Sequence, residues 1–341
     1  MKLALVGASG VVGRKILQIL EKKKITFEEF YPLGSTTVGE IITFHDIEYT
    51  IQDPSSFDAS STDVAILAAG STAAKTYAHQ YVNAGNYVID LSSEYRYEDD
   101  VPLVIPEING AELAELNEPS LISNPNCSTS QLLMVLDSIH QAFNIEILNI
   151  ATYQAVSGTG KKAVQELQTQ SNQTDSEINP EIYPKPIAFN VIPQCDVFLE
   201  NDFTKEEMKL VWETNKILDP SISVQATCAR VPVFNGHSEA VFFRIEQKTS
   251  KEEIIELLSQ YKGVTVVDNP ANLEYPTPRE FANDTEDVYV GRIRVQEIKD
   301  ETWVSMWIVA DNVYGKGAAL NAVQILEALS LIHISEPTRP Y

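Results

Sequence analysis

Short apolar runs alternate with helical stripes over the first 125 residues. LALV (3–6) is followed by a Val12/Ile16/Leu20 stripe, EEFYPL (28–33), DVAILAAG (63–70), a helical pattern around 72–84, and NYVIDLSS (86–93). Strand-like runs spaced by helices predict βαβ units and a parallel sheet covered on both faces. From 146 the rhythm changes. EILNIATYQAV, ISVQATCARV, HSEAVFFRIEQ, VYVGRIRVQEI and TWVSMWIVADN are longer strand-like runs with a few helices between them. They predict an α+β region with a mixed, largely antiparallel sheet. Two of its helices open on capping boxes, Thr204 with Glu207 and Ser250 with Glu253. A last stripe, KGAALNAVQILEAL (316–329), predicts a helix returning to the first domain. The expected division is 1–125 plus a C-terminal helix within 314–330, a second domain over 126–313, and an irregular tail over 331–341. In that tail SLIHISEPTRPY carries two prolines and loses the period.

Gly7, Gly10 and Gly13 fall in VGASGVVG, between the first strand and the first helix, where a pyrophosphate can rest on a helix N-terminus. The spacing is GxxGxxG rather than GxGxxG, so position carries the argument, and a plain strand-to-helix turn is the alternative. With the sheet it gives the expected fold class: α/β, a Rossmann-type dinucleotide-binding domain plus an α+β domain with a mixed, largely antiparallel sheet. The second strand ends near Tyr31–Leu33, and GSTT (34–37) follows where an NAD-specific fold offers a carboxylate. Hydroxyls of Ser35, Thr36 and Thr37 can donate to a 2′-phosphate, so the expected cofactor is NADP, with NAD left open. SGTGKK (157–162) is not a P-loop: Ala155 replaces its first glycine and Lys162 its Ser/Thr.

Composition narrows the partners. With 44% hydrophobic and 21% charged residues, a 341-residue chain is expected to pack rather than stay disordered. Against 25 basic residues stand 48 acidic ones, a net charge of −23, which argues against nucleic acid and anionic membranes as partners. An anionic ligand must meet locally placed Arg or Lys. Cys127, Cys195 and Cys228 have neither disulfide nor zinc-site spacing, so no metal is expected and a reducing, cytoplasmic setting fits. The first apolar run is too short for a signal segment, and no 18-residue apolar stretch follows, so no membrane span is expected.

Cys127 lies in SNPNCSTSQLLMVLDSI, where a proline-containing turn gives way to a helical pattern. A sulfur at a helix N-terminus is favoured as thiolate and has backbone donors at hand for an oxyanion. An inert buried thiol is the commoner fate of a lone cysteine, and Cys195 and Cys228 are read that way. In RVPVFNGHSEAV, His237 follows Arg230 across a turn, so an imidazole and a guanidinium can converge on one small acid. Glu206 and Lys209 are i,i+3 neighbours: either an exposed ion pair worth little, or partners for a substrate ammonium and a phosphate.

Together these segments resemble aspartate-semialdehyde dehydrogenase over about residues 2–329. VGASGVVG, DLSSEYR (90–96), VPLVIPEIN (101–109), NPNCSTSQ (124–131), TYQAVSGTG (152–160), PIAFNVIPQ (186–194), EEMK (206–209), CARVPVFNGHSE (228–239), VGRIR (290–294) and ADNVYGKGAALNAVQ (310–324) carry the likeness. The resemblance implies reversible NADPH-dependent conversion of L-aspartyl 4-phosphate to L-aspartate 4-semialdehyde and inorganic phosphate, on the route to lysine, threonine and methionine. It implies Cys127 as nucleophile, His237 as acid/base, and Asn126 and Gln154 orienting the acyl group. Arg230 and Glu206 would grip the substrate's carboxylate and ammonium, and Arg96 with Lys209 its phosphate. Gly7, Ser9, Gly10, Val11, Val12, Gly13, Thr36 and Thr37 would hold the nucleotide, and Ser157, Gly158 and Asn312 the nicotinamide. A homodimer or homotetramer is implied as well, with the α+β domain as the catalytic and dimerisation domain. Departures are Thr36 where many relatives have arginine, Glu40 where lysine is common, and Leu91 where asparagine is usual. Two other readings stay open: N-acetyl-glutamyl-phosphate reductase, against which Glu206 argues, and a non-catalytic dinucleotide-binding protein, against which the set of Cys127, Gln154, Arg230 and His237 argues.

Overall fold

A computed structural model describes residues 1–173 and 179–334. The chain divides into two compact units: Met1–Pro125 joined by the segment from Ala318 onward, and Asn126–Gly317.

The first unit begins β1 (Lys2–Val6), α1 (Val11–Lys22), β2 (Glu29–Leu33), β3 (Ile41–Phe44), β4 (Ile47–Thr50) and β5 (Val64–Leu67). It continues with α2 (Ser71–Asn83), β6 (Tyr87–Asp90), the short α3 (Pro106–Asn109) and β7 (Leu121–Ser123). Five strands form one sheet in the order β2-β1-β5-β6-β7, every pair parallel. β5 and β6 are buried at every position, which is why they read as unbroken apolar runs rather than alternating ones. α1 buries Ile16, Leu17, Ile19 and Leu20 and packs on the C-terminal helix Ala319–Leu329, with Lys23 and Glu327 bridged at 2.9 Å. Asn321 of that helix, fully buried, donates to the Val104 carbonyl at 2.9 Å and to Asn124 at 2.8 Å.

Two features differ from the sequence expectation. The helix does not give way to irregular chain at 331 but continues as a π-helical turn, Ser330–Ile334; the rest of the expected tail, 335–341, lies outside the described residues. The antiparallel β3–β4 hairpin was also not foreseen.

The second unit runs α4 (Cys127–Phe143), β8 (Ile145–Gln154), α5 (Lys161–Gln170), α6 (Lys205–Ile217), β9 (Ser223–Arg230) and β10 (His237–Ile245). Then come α7 (Lys251–Gln260), β11 (Val264–Val266), α8 (Pro278–Phe281), β12 (Val288–Ile298) and β13 (Glu301–Ala310). Its six-stranded sheet has the order β11-β12-β13-β10-β8-β9, with the three central pairs antiparallel and the two outer pairs parallel, the mixed sheet expected. Both capping boxes are formed. α4 packs on β8, β10, β12 and β13, and Ser128 through Ile139 are buried without interruption. Register then decides which side chains stand side by side. Gln154 stands opposite Arg230, and Thr152 opposite both Cys228 and Glu239.

Candidate active site

In the first unit the strand-to-helix turn fits a nucleotide. Gly7 has φ +89, and a Cβ on Gly13 would lie 2.2 Å from the Gly7 carbonyl oxygen, so neither position admits a side chain without the turn shifting. α1 begins at Val11 with no side-chain cap, leaving its positive end without one. Val11 is exposed and Val12 half-buried. A cleft of about 400 Å³ is lined by Gly7, Ser9, Gly10, Ser35, Thr36 and Thr37, among others. The Ser9 and Thr37 hydroxyls share a hydrogen bond of 2.8 Å, while Ser35 and Thr36 are exposed. Arg96, buried in this unit, donates from Nη2 to the Leu91 carbonyl at 3.0 Å.

In the second unit Cys127 is the first residue of α4. The Asn126 side chain caps the helix, its Oδ1 accepting from the N–H of Ser128 at 2.9 Å and of Thr129 at 3.4 Å. Cys127 is half-buried, whereas Cys195 and Cys228 are buried. Burial pushes the Cys195 thiol up to about 12 and that of Cys228 up as well, so both are held as thiols. A Cβ on Gly317 would meet the Cys127 Cβ at 2.8 Å. The chain therefore passes Cys127 where only glycine fits.

His237 is wholly buried at the start of β10. Burial and then the Arg230 guanidinium push its pKa down to about 3, so the ring is neutral. A Cβ on Gly158 would sit 3.2 Å from Arg230 Nη1 and 3.2 Å from His237 Cε1, so imidazole and guanidinium converge on one bare backbone position. Arg230 is anchored from Nη1 to the Ala155 carbonyl at 2.7 Å. Asn312 Oδ1 accepts from Ser157 Oγ at 3.1 Å and from the Gly236 N–H at 2.9 Å, while its buried Nδ2 has no partner among the described residues.

Glu206 lies at the centre of a buried network. Its Oε1 accepts from Asn126 Nδ2 at 3.1 Å and Gln154 Nε2 at 3.0 Å, and its Oε2 from Lys209 Nζ at 2.8 Å. Burial opposes the charge, but Lys209, Gln154 and Asn126 outweigh it and hold the carboxylate down at about 2. Lys209 is correspondingly raised. The side chains keep only 8% and 10% exposure, so the bland alternative of a solvated surface pair does not describe them.

The structure thus joins Asn126, Gln154, Glu206 and Lys209 in one network and sets His237, Arg230 and Gly158 together. Three contributors escaped the sequence reading. Glu213 accepts the Asn126 backbone N–H at 2.6 Å, Ala155 donates its N–H to His237 Nδ1 at 3.1 Å, and Asp196 accepts from Lys209 at 2.8 Å. Glu206, Lys209 and Glu213 recur at helical spacing, a charged stripe on what proves a buried face of α6 and the one signal that could have revealed Glu213. Among the described residues there is no cluster of His, Cys, Asp or Glu that could hold a metal ion, and no helix long and apolar enough to cross a membrane.

Residues 2–116 match the family model of the semialdehyde dehydrogenase NAD binding domain, and residues 136–314 that of the semialdehyde dehydrogenase dimerisation domain. The chain is 44% identical over 344 residues to an aspartate-semialdehyde dehydrogenase of Legionella pneumophila, covering 99% of each. It is 42% identical to one of Aquifex aeolicus, covering 96% of this chain and 97% of the relative. Among solved structures it resembles aspartate semialdehyde dehydrogenase II of Vibrio cholerae complexed with ASA, with a TM-score of 0.93 and 39% identity over 97% of this chain and 98% of that one.

Proposed function

The chain belongs to the aspartate-semialdehyde dehydrogenase family, and on that premise we propose that it interconverts L-aspartyl 4-phosphate and L-aspartate 4-semialdehyde through a thioester on Cys127, in the synthesis of lysine, threonine and methionine. The placement of Cys127 carries the reading: a half-buried sulfur as first residue of a side-chain-capped helix, in a unit whose other thiols are sealed. The helix dipole favours its thiolate.

In the reductive direction the Cys127 sulfur attacks the acyl carbonyl, the bond to the phosphate oxygen breaks, and inorganic phosphate leaves a thioester behind. A bound nicotinamide dinucleotide supplies the hydride that reduces it. His237 Nε2–H stabilises the resulting oxyanion by hydrogen bonding until the carbon–sulfur bond breaks, releasing aldehyde and thiolate. Asn126 and Gln154 orient the acyl group. Arg230 and Glu206 hold the carboxylate and ammonium of the substrate, and Arg96 and Lys209 its phosphate, arginine's planar fork suiting either anion.

A nicotinamide dinucleotide is the cofactor; we assign it to Gly7, Ser9 and Gly10, which line the cleft of the first unit, and to Val11, Val12 and Gly13 at the start of α1, with Ser157, Gly158 and Asn312 assigned to the nicotinamide. NADP is the form proposed: no carboxylate stands at the end of β2 to repel a 2′-phosphate, and Thr36 offers an exposed hydroxyl with Thr37 beside it. The match to a dimerisation domain supports self-association, which we propose as a homodimer or homotetramer in the cytoplasm.

Initial rates with aspartate semialdehyde, phosphate and either NADP+ or NAD+ test the proposal, with N-acetyl-glutamate semialdehyde run in parallel. Phosphate-dependent oxidation of aspartate semialdehyde, faster with NADP+, is expected. Turnover of the acetylated aldehyde alone would transfer the chain to the reductase reading, and turnover of neither would leave a non-catalytic binder.

A further inference from the structure

The Lys209 ammonium is held by two carboxylates, Glu206 and Asp196, each at 2.8 Å. They differ in kind. Glu206 comes from the same helix, keeps 8% side-chain exposure, and has its other oxygen taken by Asn126 and Gln154. Asp196 comes from chain outside helix and strand, between the bridge residues Ile192 and Phe198. Its side chain keeps 32% exposure, and among the described residues its second oxygen accepts only the adjacent Val197 N–H, at 2.8 Å. Glu206 is therefore the fixed inner counter-ion of Lys209, and Asp196 an outer one on the side open to solvent. An anion arriving from solvent meets the lysine charge where the Asp196 carboxylate already sits. An ammonium has three hydrogens to donate, and these two carboxylates engage two of them.

We infer that Asp196 is a specificity-determining residue for the anionic group of the substrate: its carboxylate occupies Lys209 in the free protein and competes there with phosphate, so that it sets phosphate affinity. The inference rests on the assignment of phosphate to Lys209 made above. A carboxylate and a phosphate oxygen accept the same hydrogen bond from an ammonium, but the two anions repel one another. Two carboxylates on one ammonium give this cluster a formal net negative charge, which opposes a further anion. Replacing Asp196 by asparagine keeps a carbonyl acceptor of the same shape and removes that repulsion.

The test is phosphate-dependent oxidation of aspartate semialdehyde by the full chain. Asp196→Asn is expected to lower KM for inorganic phosphate about 3- to 10-fold, the size of a like-charge repulsion at a partly exposed site, with KM for the dinucleotide unaltered. Asp196→Glu restores the charge and should bring the phosphate KM back toward wild type, which a purely structural role would not do. An unchanged or raised phosphate KM in Asp196→Asn, with the dinucleotide KM at its wild-type value, overturns the inference. Lys209→Met separates the two levels: if it leaves the phosphate KM untouched, the assignment of phosphate to Lys209 falls, and this inference with it. Should Asp196→Asn be inactive, the phosphate concentration that half-protects Cys127 from iodoacetamide reads the same affinity. It should fall relative to wild type, and no fall would overturn the competition.

Discussion

The backbone N–H of Ala155 donates to Nδ1 of His237 at 3.1 Å, which makes Nδ1 an acceptor and puts the single proton of the neutral ring on Nε2. Nε2 is buried and has no hydrogen-bond partner among the described residues. The ring is thus poised to donate from Nε2, the atom 3.3 Å from where a Cβ of Gly158 would stand.

Replacing this donor should be costly. His237→Asn is expected to lower kcat by about 10²- to 10³-fold, the usual worth of one positioned hydrogen-bond donor to an oxyanion. With the folded pKa at about 3 against an ordinary 6.5, His237 stays neutral across the working range, so an acidic limb of the rate profile near 6.5 should not belong to it. The linkage has a definite sign. As pH falls from 6.5 toward 3 the unfolded chain takes up a proton that the folded chain refuses, so this residue lowers stability over that window. An NMR titration of labelled histidine showing His237 protonating near 6.5 would contradict the neutral ring drawn from its burial beside Arg230.

Cys127→Ser should abolish turnover while leaving dinucleotide binding near its wild-type value. The cofactor cleft belongs to the first unit and Cys127 to the second, so the substitution does not alter the cleft's own lining. Steady-state rates with a fluorescence titration of the reduced cofactor make the check, and undiminished turnover would remove the thioester.

The buried pair gives a third expectation. Glu206→Ala leaves Lys209 with Asp196 alone and strips Asn126 and Gln154 of their common acceptor; loss of one partner of a buried ion pair costs about 3–5 kcal/mol. Urea unfolding measures it. Because the Glu206 carboxylate sits at about 2 against an ordinary 4.5, its contribution is present above about 4.5 and is lost as pH falls toward 2, so the gap between wild type and variant should narrow with acid.

How much of this was written locally in the chain can be judged element by element. β5 and β6 were legible because burial on both faces demands apolar residues at every position, and the capping boxes because a cap is a contact within four residues. The β3–β4 hairpin was not. Its two-residue turn is His45-Asp46, both at positive φ, where the usual signal is a glycine or asparagine. Within the candidate site, Cys127 and His237 stood out by residue type and neighbours. The partners that determine their chemistry did not: Ala155 contributes only its backbone, and Asp196 reaches Lys209 from a segment without periodicity. Both contacts exist only once β8, β10 and α6 are assembled.

Glu239 carries no role in the sequence motifs, yet it is fully buried, and among the described residues neither carboxyl oxygen is within hydrogen-bond geometry of a partner. It sits two residues after His237 on β10, hence on the same face of the strand, opposite Thr152. Burial drives its carboxyl well above the ordinary 4.5, against the nearby Gln131 amide of α4, which favours the ionised form. A carboxyl held protonated in the folded chain but ionised in the unfolded one contributes its stability at low pH and loses it as pH climbs from 4.5 through the folded value. Glu239→Gln keeps the shape and abolishes that ionisation. It is therefore expected to change the melting temperature little near pH 4 and to raise it increasingly from pH 5 to 8, read by thermal unfolding at stepped pH. A variant that tracks the wild type in parallel over the whole range would mean that Glu239 is charged in the folded protein and has found a partner there.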